Sequence, residues 1–233
     1  MSSKPKVLFV LTSHGSMTVH GKAKPTGWYL PEFAHPYYQL AGKADITVAS
    51  PAGGESPLDP ASVEASKDEE SVKFLDTQSE LWKKTEKLAD FKGKANEFAA
   101  IFYVGGHGPM FDLATDKTSH DIIREFWEAG KVVSAVCHGP GALAQVKLAD
   151  GSFLVSGSAV TGFSNAEEDV VDLSAAMPFM LEDALKKNGG RFEKADEAWG
   201  EKVVVGKEGR LITGQNPGSA VGVGKAIAEA IKV

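Results

Sequence analysis

Along this chain, hydrophobic positions gather into short unbroken runs, separated by stretches with helical spacing. The runs are KVLFVLT (6–12), DITVAS (45–50), AAIFYV (99–104) and KVVSAV (131–136). They stop at Ser13, Pro51, Gly105 and Cys137 respectively. Runs that are continuous, not alternating, predict strands buried on both faces. Between the last two runs, residues 119–129 set Ile122, Ile123, Phe126 and Trp127 on one helical face, and Gly130 ends that helix as a C-cap. Residues 209–213 predict a last short strand. Asn216 then stands as an N-cap with Pro217 at the first helical position, ahead of the apolar line Val223, Ile227 and Ile231. Strands alternating with amphipathic helices predict an α/β fold with a mostly parallel sheet covered on both faces. Residues 52–96 break the rhythm. Rich in charge and small polar residues, and too long for a bare loop, they predict an insertion on the same single domain, helical in its second half around 79–91.

Composition narrows the function. The chain has 233 residues, 42% of them hydrophobic, enough for a substantial core. A formal charge of -6 offers no basic face for phosphates, so no nucleic-acid partner is expected and a small-molecule substrate is the default. A single cysteine cannot form an intramolecular disulfide, which favours a reducing compartment and a cytoplasmic location. The apolar run 7–11 is too brief for a signal segment, and no run approaches the roughly 20 residues that span a membrane. The patterns GxxxxGK[ST], GxGxxG after the first strand and HExxH are all absent, so no cofactor and no metal are expected.

The candidate chemistry lies in VVSAVCHGPGAL (132–143), which holds that one cysteine. Ligands of an open parallel sheet bind beyond the carboxyl ends of its strands. His14, the stretch 105–108 and the stretch 137–139 each follow a predicted strand and so gather on one edge. A strand running into Cys137, His138, Gly139, Pro140 and Gly141 has the form of a nucleophile elbow. A helix starting there would point its positive end at the sulfur and lower a thiol pKa of about 8.5 toward roughly 5–6. Against this stands the plain alternative of a small buried residue, since free cysteine is among the most buried types.

AVCHGPGAL, with YVGGHGPMFDL upstream, resembles the ThiJ/PfpI superfamily, whose fold is flavodoxin-like, as in class I glutamine amidotransferases. PEFAHPYYQL (31–40), TGFSNAEE (161–168) and TGQNPGSA (213–220) resemble its fungal branch of glutathione-independent glyoxalase III enzymes and heat-shock chaperones. The resemblance implies that Cys137 is the nucleophile and His138 its neighbouring base. It implies Glu168 as the acid orienting that histidine, with Glu167 one residue away as the alternative, and Glu32 as the carboxyl group beside the sulfur. Gly106 and the His138 backbone match oxyanion-binding amides, while His107 is either a substrate contact or a turn residue. A histidine beside the thiol can move protons near neutral pH, and a carboxylate on its far nitrogen fixes the tautomer. A carboxyl group touching a thiolate must hold a proton, because two adjacent negative charges repel.

The implied activity is a cofactor-independent glyoxalase III, converting methylglyoxal and water to D-lactate in a homodimer. The alternatives are a stress-response holdase chaperone or redox sensor, and a protein deglycase or peptidase. A class I amidotransferase shares the elbow but places its histidine far along the chain from the cysteine, and it requires a synthase partner.

Overall fold

The apolar runs become neighbouring strands of one sheet. In the computed structural model, which describes residues 4–233, the strands are β1 (Lys6–Val10), β2 (Ser16–Val19), β3 (Lys22–Pro25), β4 (Asp45–Ser50), β5 (Glu86–Lys87), β6 (Ala100–Tyr103), β7 (Val132–Val136), β8 (Ala159–Val160), β9 (Arg191–Phe192), β10 (Val203–Gly206) and β11 (Leu211–Gly214). Seven of them form the central sheet in the order β10-β11-β7-β6-β1-β4-β5. All neighbours are parallel except β10 and β11. Every residue of β6, β7 and β11 is buried, as unbroken apolar sequence requires when helices cover both faces. The architecture is the flavodoxin-like one expected.

The covering helices follow the predicted faces. Lys117–Glu128 buries Ile122, Ile123 and Phe126, starts from Asp116, whose carboxylate accepts the Thr118 amide at 2.8 Å, and stops before Gly130 at φ +74°. Ala220–Ala230 packs on Leu30–Leu40 so closely that a Cβ at Gly224 would lie 2.8 Å from Pro36 Cα. Asn216 does not cap this helix. Its amide donates instead to Glu167 Oε1 and to the Gly200 carbonyl, both at 2.8 Å, and the turn Pro217–Ser219 intervenes before the helix proper. Asn216 Oδ1, the atom a cap would use, accepts the Ser219 hydroxyl at 3.1 Å and no backbone amide.

The 52–96 stretch is helical in its first half as well as its second. Asp59 and Asp68 cap Pro60–Ala65 and Glu69–Thr77, and each side chain accepts an amide at 2.9 Å. The expected second-half patch forms as two short pieces, Glu80–Lys83 and the 3-10 turn Leu88–Phe91, because the chain adds β5 to the sheet edge between them. Phe74 is fully buried against Phe33, with ring centroids 4.7 Å apart. That burial contributes roughly 2–3 kcal/mol toward holding the segment on the sheet.

Topology decides where a site can form. After β4 the chain crosses back past β1 to lay down β6, so the loops after β1 and β6 leave the sheet in opposite directions. The crevice between them is the topological switch point, at the carboxyl edge. The β2/β3 hairpin, which no apolar run announced, rises from the same edge directly after β1. No helix among the described residues is long and apolar enough to cross a membrane.

Candidate active site

Cys137 leaves the end of β7 at φ +59°, in the left-handed region that costs a side-chain-bearing residue about 1–2 kcal/mol. Three hydrogen bonds hold the turn. The Cys137 amide donates to Gly214 O at 2.9 Å, the Gly139 amide to Val136 O at 2.8 Å, and the Phe163 amide to Cys137 O at 2.8 Å. A Cβ at Gly139 would stand 2.8 Å from Val136 O and press on Tyr103 O, so the turn requires glycine there. This is the strained elbow the sequence outlined.

The groups around the sulfur come from four separate segments. His138 Nδ1 lies 3.4 Å from Cys137 Sγ, and its Nε2 pairs with Glu168 Oε2 at 2.6 Å. His107 Nε2 pairs with the other oxygen of the same carboxylate at 2.9 Å. Glu32, fully buried on Leu30–Leu40, lies against Gly105; a Cβ on that glycine would collide with the Glu32 carboxyl group and stand 2.8 Å from Cys137 Cβ. Glu32 is therefore not a solvated first-turn acid. Gly106, at φ +95°, presents its amide toward Glu32 and the sulfur, and neither it nor the His138 amide has a carbonyl acceptor among the described residues.

Glu167 has a different task. Its Oε2 accepts the Ser164 amide at 2.9 Å and the Ser164 hydroxyl at 2.7 Å, closing a capping box on Asn165–Val170. Its Oε1 accepts the Asn216 amide and, at 3.1 Å, the Trp199 backbone. Glu167 is an anchor, and Glu168 is the carboxylate that reaches His138. The S-x-x-E spacing of Ser164 and Glu167 is the signal that separates the two acids.

Protonation follows from burial and neighbours. Burial pushes Glu32 up to about 8, against the opposing pull of the Cys137 thiol and the Gly105 and Gly106 amides, so it carries a proton at neutral pH. Neither of its oxygens has a partner within strict hydrogen-bonding geometry; these groups act on it at longer range. Burial, then the Glu32 charge, also push the Cys137 thiol up. This corrects the expected lowering toward thiolate. The helix at the elbow, Gly141–Ala144, is a single turn and too short to supply a useful dipole, while Cys137 is buried, only 4% exposed. Burial lowers His138, with His107 adding to the effect, and the ring is neutral at rest. Burial alone would raise Glu168, but the two histidines outweigh it and hold that carboxyl well below the usual range. An ionised Glu168 must accept hydrogens from both Nε2 atoms, which leaves the Nδ1 lone pair of His138 facing the thiol.

Cys137, Glu32, Gly106, His107 and His138 share the wall of one cavity of about 160 Å³, and Glu168 stands behind His138. Phe163 tilts over His138 with centroids 4.5 Å apart, and Trp199 meets Phe163 edge-on at 5.5 Å. Met17 and Lys24 of the hairpin and Trp199 also line the cavity. None of these three carried a motif; they reach the site only through the fold. His107, His138 and Glu168 bring metal-compatible atoms within 4.8 Å of one another, but both ring Nε2 atoms already donate to the carboxylate, so the trio forms a closed hydrogen-bond network.

Fold and site together define a class: flavodoxin-like α/β proteins with a cysteine at the elbow after a central strand. The chain belongs to the DJ-1/PfpI family, which matches residues 31–230. The glutathione-independent glyoxalase HSP31 of Saccharomyces cerevisiae is 30% identical over 227 residues, covering 92% of this chain and 93% of the yeast protein. Among solved structures, the 24 kDa Rapid Encystment Protein of Francisella tularensis is 37% identical, with a TM-score of 0.89 over 97% of this chain and 99% of that one. Glyoxalase III of Candida albicans is 29% identical, with a TM-score of 0.84 over 97% of each chain.

Proposed function

We propose that this chain is a glutathione-independent glyoxalase that converts methylglyoxal and water to D-lactate without a cofactor. The observation that carries this reading is a thiol facing a neutral imidazole at 3.4 Å, beside a protonated carboxyl group, in a cavity of about 160 Å³. A pocket of that size suits a small dicarbonyl better than an extended peptide. The relatives named as glyoxalases support the same reading.

The chemistry proceeds in balanced steps. His138 Nδ1 takes the thiol proton as Cys137 Sγ adds to the aldehyde carbon, and Glu32 gives its proton to the carbonyl oxygen. The resulting hemithioacetal oxygen rests on the Gly106 and His138 amides, which have no competing carbonyl acceptor. Glu32, now a carboxylate, removes the C1 hydrogen while the His138 imidazolium protonates the C2 oxygen, giving an enediol. Glu32 returns that proton to C2 as His138 takes the C1 hydroxyl proton, leaving a thioester. Water then attacks the thioester, losing its proton to Glu32, and the thiolate leaves with the proton of His138. Both groups finish as they began. The protein thiol thus plays the part that glutathione plays in glutathione-dependent chemistry.

The test is D-lactate formation from methylglyoxal by protein treated with a chelator and free of glutathione. Wild type is expected to form D-lactate and Cys137→Ala to form none. D-lactate from Cys137→Ala at the wild-type rate overturns the proposal.

A further inference from the structure

Glu168 accepts two imidazole hydrogens, one on each oxygen, and the two rings lie with centroids 4.2 Å apart. One negative carboxylate between a buried ring and a partly buried one balances one imidazolium, not two. We propose that His107 is a positioning residue that divides the Glu168 carboxylate with His138 and so restrains the basicity of His138, keeping its ring neutral until the thiol proton arrives. This deepens the glyoxalase reading, because it rests on the role given there to His138.

Two effects act in the same direction. The His107 hydrogen bond at 2.9 Å draws on the charge that would otherwise stabilise a His138 imidazolium. Any proton held by His107 also repels a second one on His138, and after burial this is the leading reason that His138 is lowered. The other titratable groups facing the pair are Cys137 at the elbow, Glu32 and Tyr29 on Leu30–Leu40 and its approach, Asp59 and Lys24 on the cavity wall, and Glu167 beside Glu168. A weaker base is useful late in the cycle. The imidazolium has to surrender its proton to the C2 oxygen and then to the departing sulfur, and a ring held too firmly positive would slow both steps.

The consequence runs against the usual effect of losing a site residue. Removing His107 makes His138 a better acceptor, so the thiolate–imidazolium pair forms at lower pH. The experiment is the pH profile of Cys137 alkylation by iodoacetamide in wild type, His107→Gln and His107→Phe. Glutamine keeps a donor for Glu168 but cannot take up a proton; phenylalanine can do neither and fills the space. The alkylation midpoint is expected to fall in both variants and further in His107→Phe, with labelling at pH 6 about threefold to tenfold faster. The kcat for D-lactate falls while capture of the thiol quickens. Alkylation needs no turnover, so it reads the His107 claim even if no D-lactate is formed. A midpoint that is unchanged or higher in both variants, each shown folded by its near-UV spectrum, overturns the inference.

Discussion

Replacing Glu32 by glutamine removes one ionisable group from a fully buried position, and the consequence for stability has a definite sign. The folded carboxyl titrates near 8 and the unfolded one near 4.5. Between those values the folded chain keeps a proton that the unfolded chain releases, so the contribution of Glu32 falls as pH rises through that window. Below the window both states hold the proton, and above it both have lost it. Each pH unit inside the window is worth about 1.4 kcal/mol, so wild type should lose about 3 kcal/mol between pH 5 and pH 7 from this group alone. Glutamine imitates the protonated acid and does not titrate. Urea unfolding of both proteins across pH 5–8 isolates the effect, because titration of His138 and the other shared groups cancels in the difference. Glu32→Gln is expected to match wild type near pH 5 and to exceed it by about 3 kcal/mol at pH 7. A difference that does not change with pH refutes the claim that this carboxyl keeps its proton through neutrality.

The same proton predicts the alkaline limb of catalysis. Because Glu32 must donate at the first step, kcat/KM should decline above about pH 8, with the decline abolished along with most activity in Glu32→Gln. Glu167→Ala and Glu168→Gln should separate cleanly. Glu167→Ala strips acceptors from Ser164, Asn216 and Trp199 and should lower stability by about 2–4 kcal/mol in a thermal melt. Glu168→Gln should lose about a hundredfold in kcat, since the amide no longer fixes the His138 tautomer as a carboxylate does.

Much of the molecule was legible because its chemistry is local. Short unbroken runs rich in β-branched residues, such as KVLFVLT and KVVSAV, read as strands with both faces covered, and the elbow at Cys137 is written into consecutive residues. The parts that were not legible depend on contacts distant in the chain. The β2/β3 hairpin is short and largely exposed, with its apolar residues isolated between polar ones, so no apolar run marks it, yet it delivers Met17 and Lys24 to the cavity. The strand β10 is an edge whose partner β11 supplies its hydrogen bonds. The thiol was expected to be ionised because a strand–helix junction suggests a dipole. The helix there is one turn long, and burial decides the matter the other way. Asn216 looked like a cap by position, and its actual partner, Glu167, lies 49 residues away.

The account depends most on Cys137 carrying the substrate as a thioester during turnover. Wild-type protein mixed with isotope-labelled methylglyoxal, quenched in acid and mapped by peptide mass spectrometry should carry the label on the Cys137 peptide, in a form that hydroxylamine releases. D-lactate formed steadily while the Cys137 peptide stays unlabelled would contradict it.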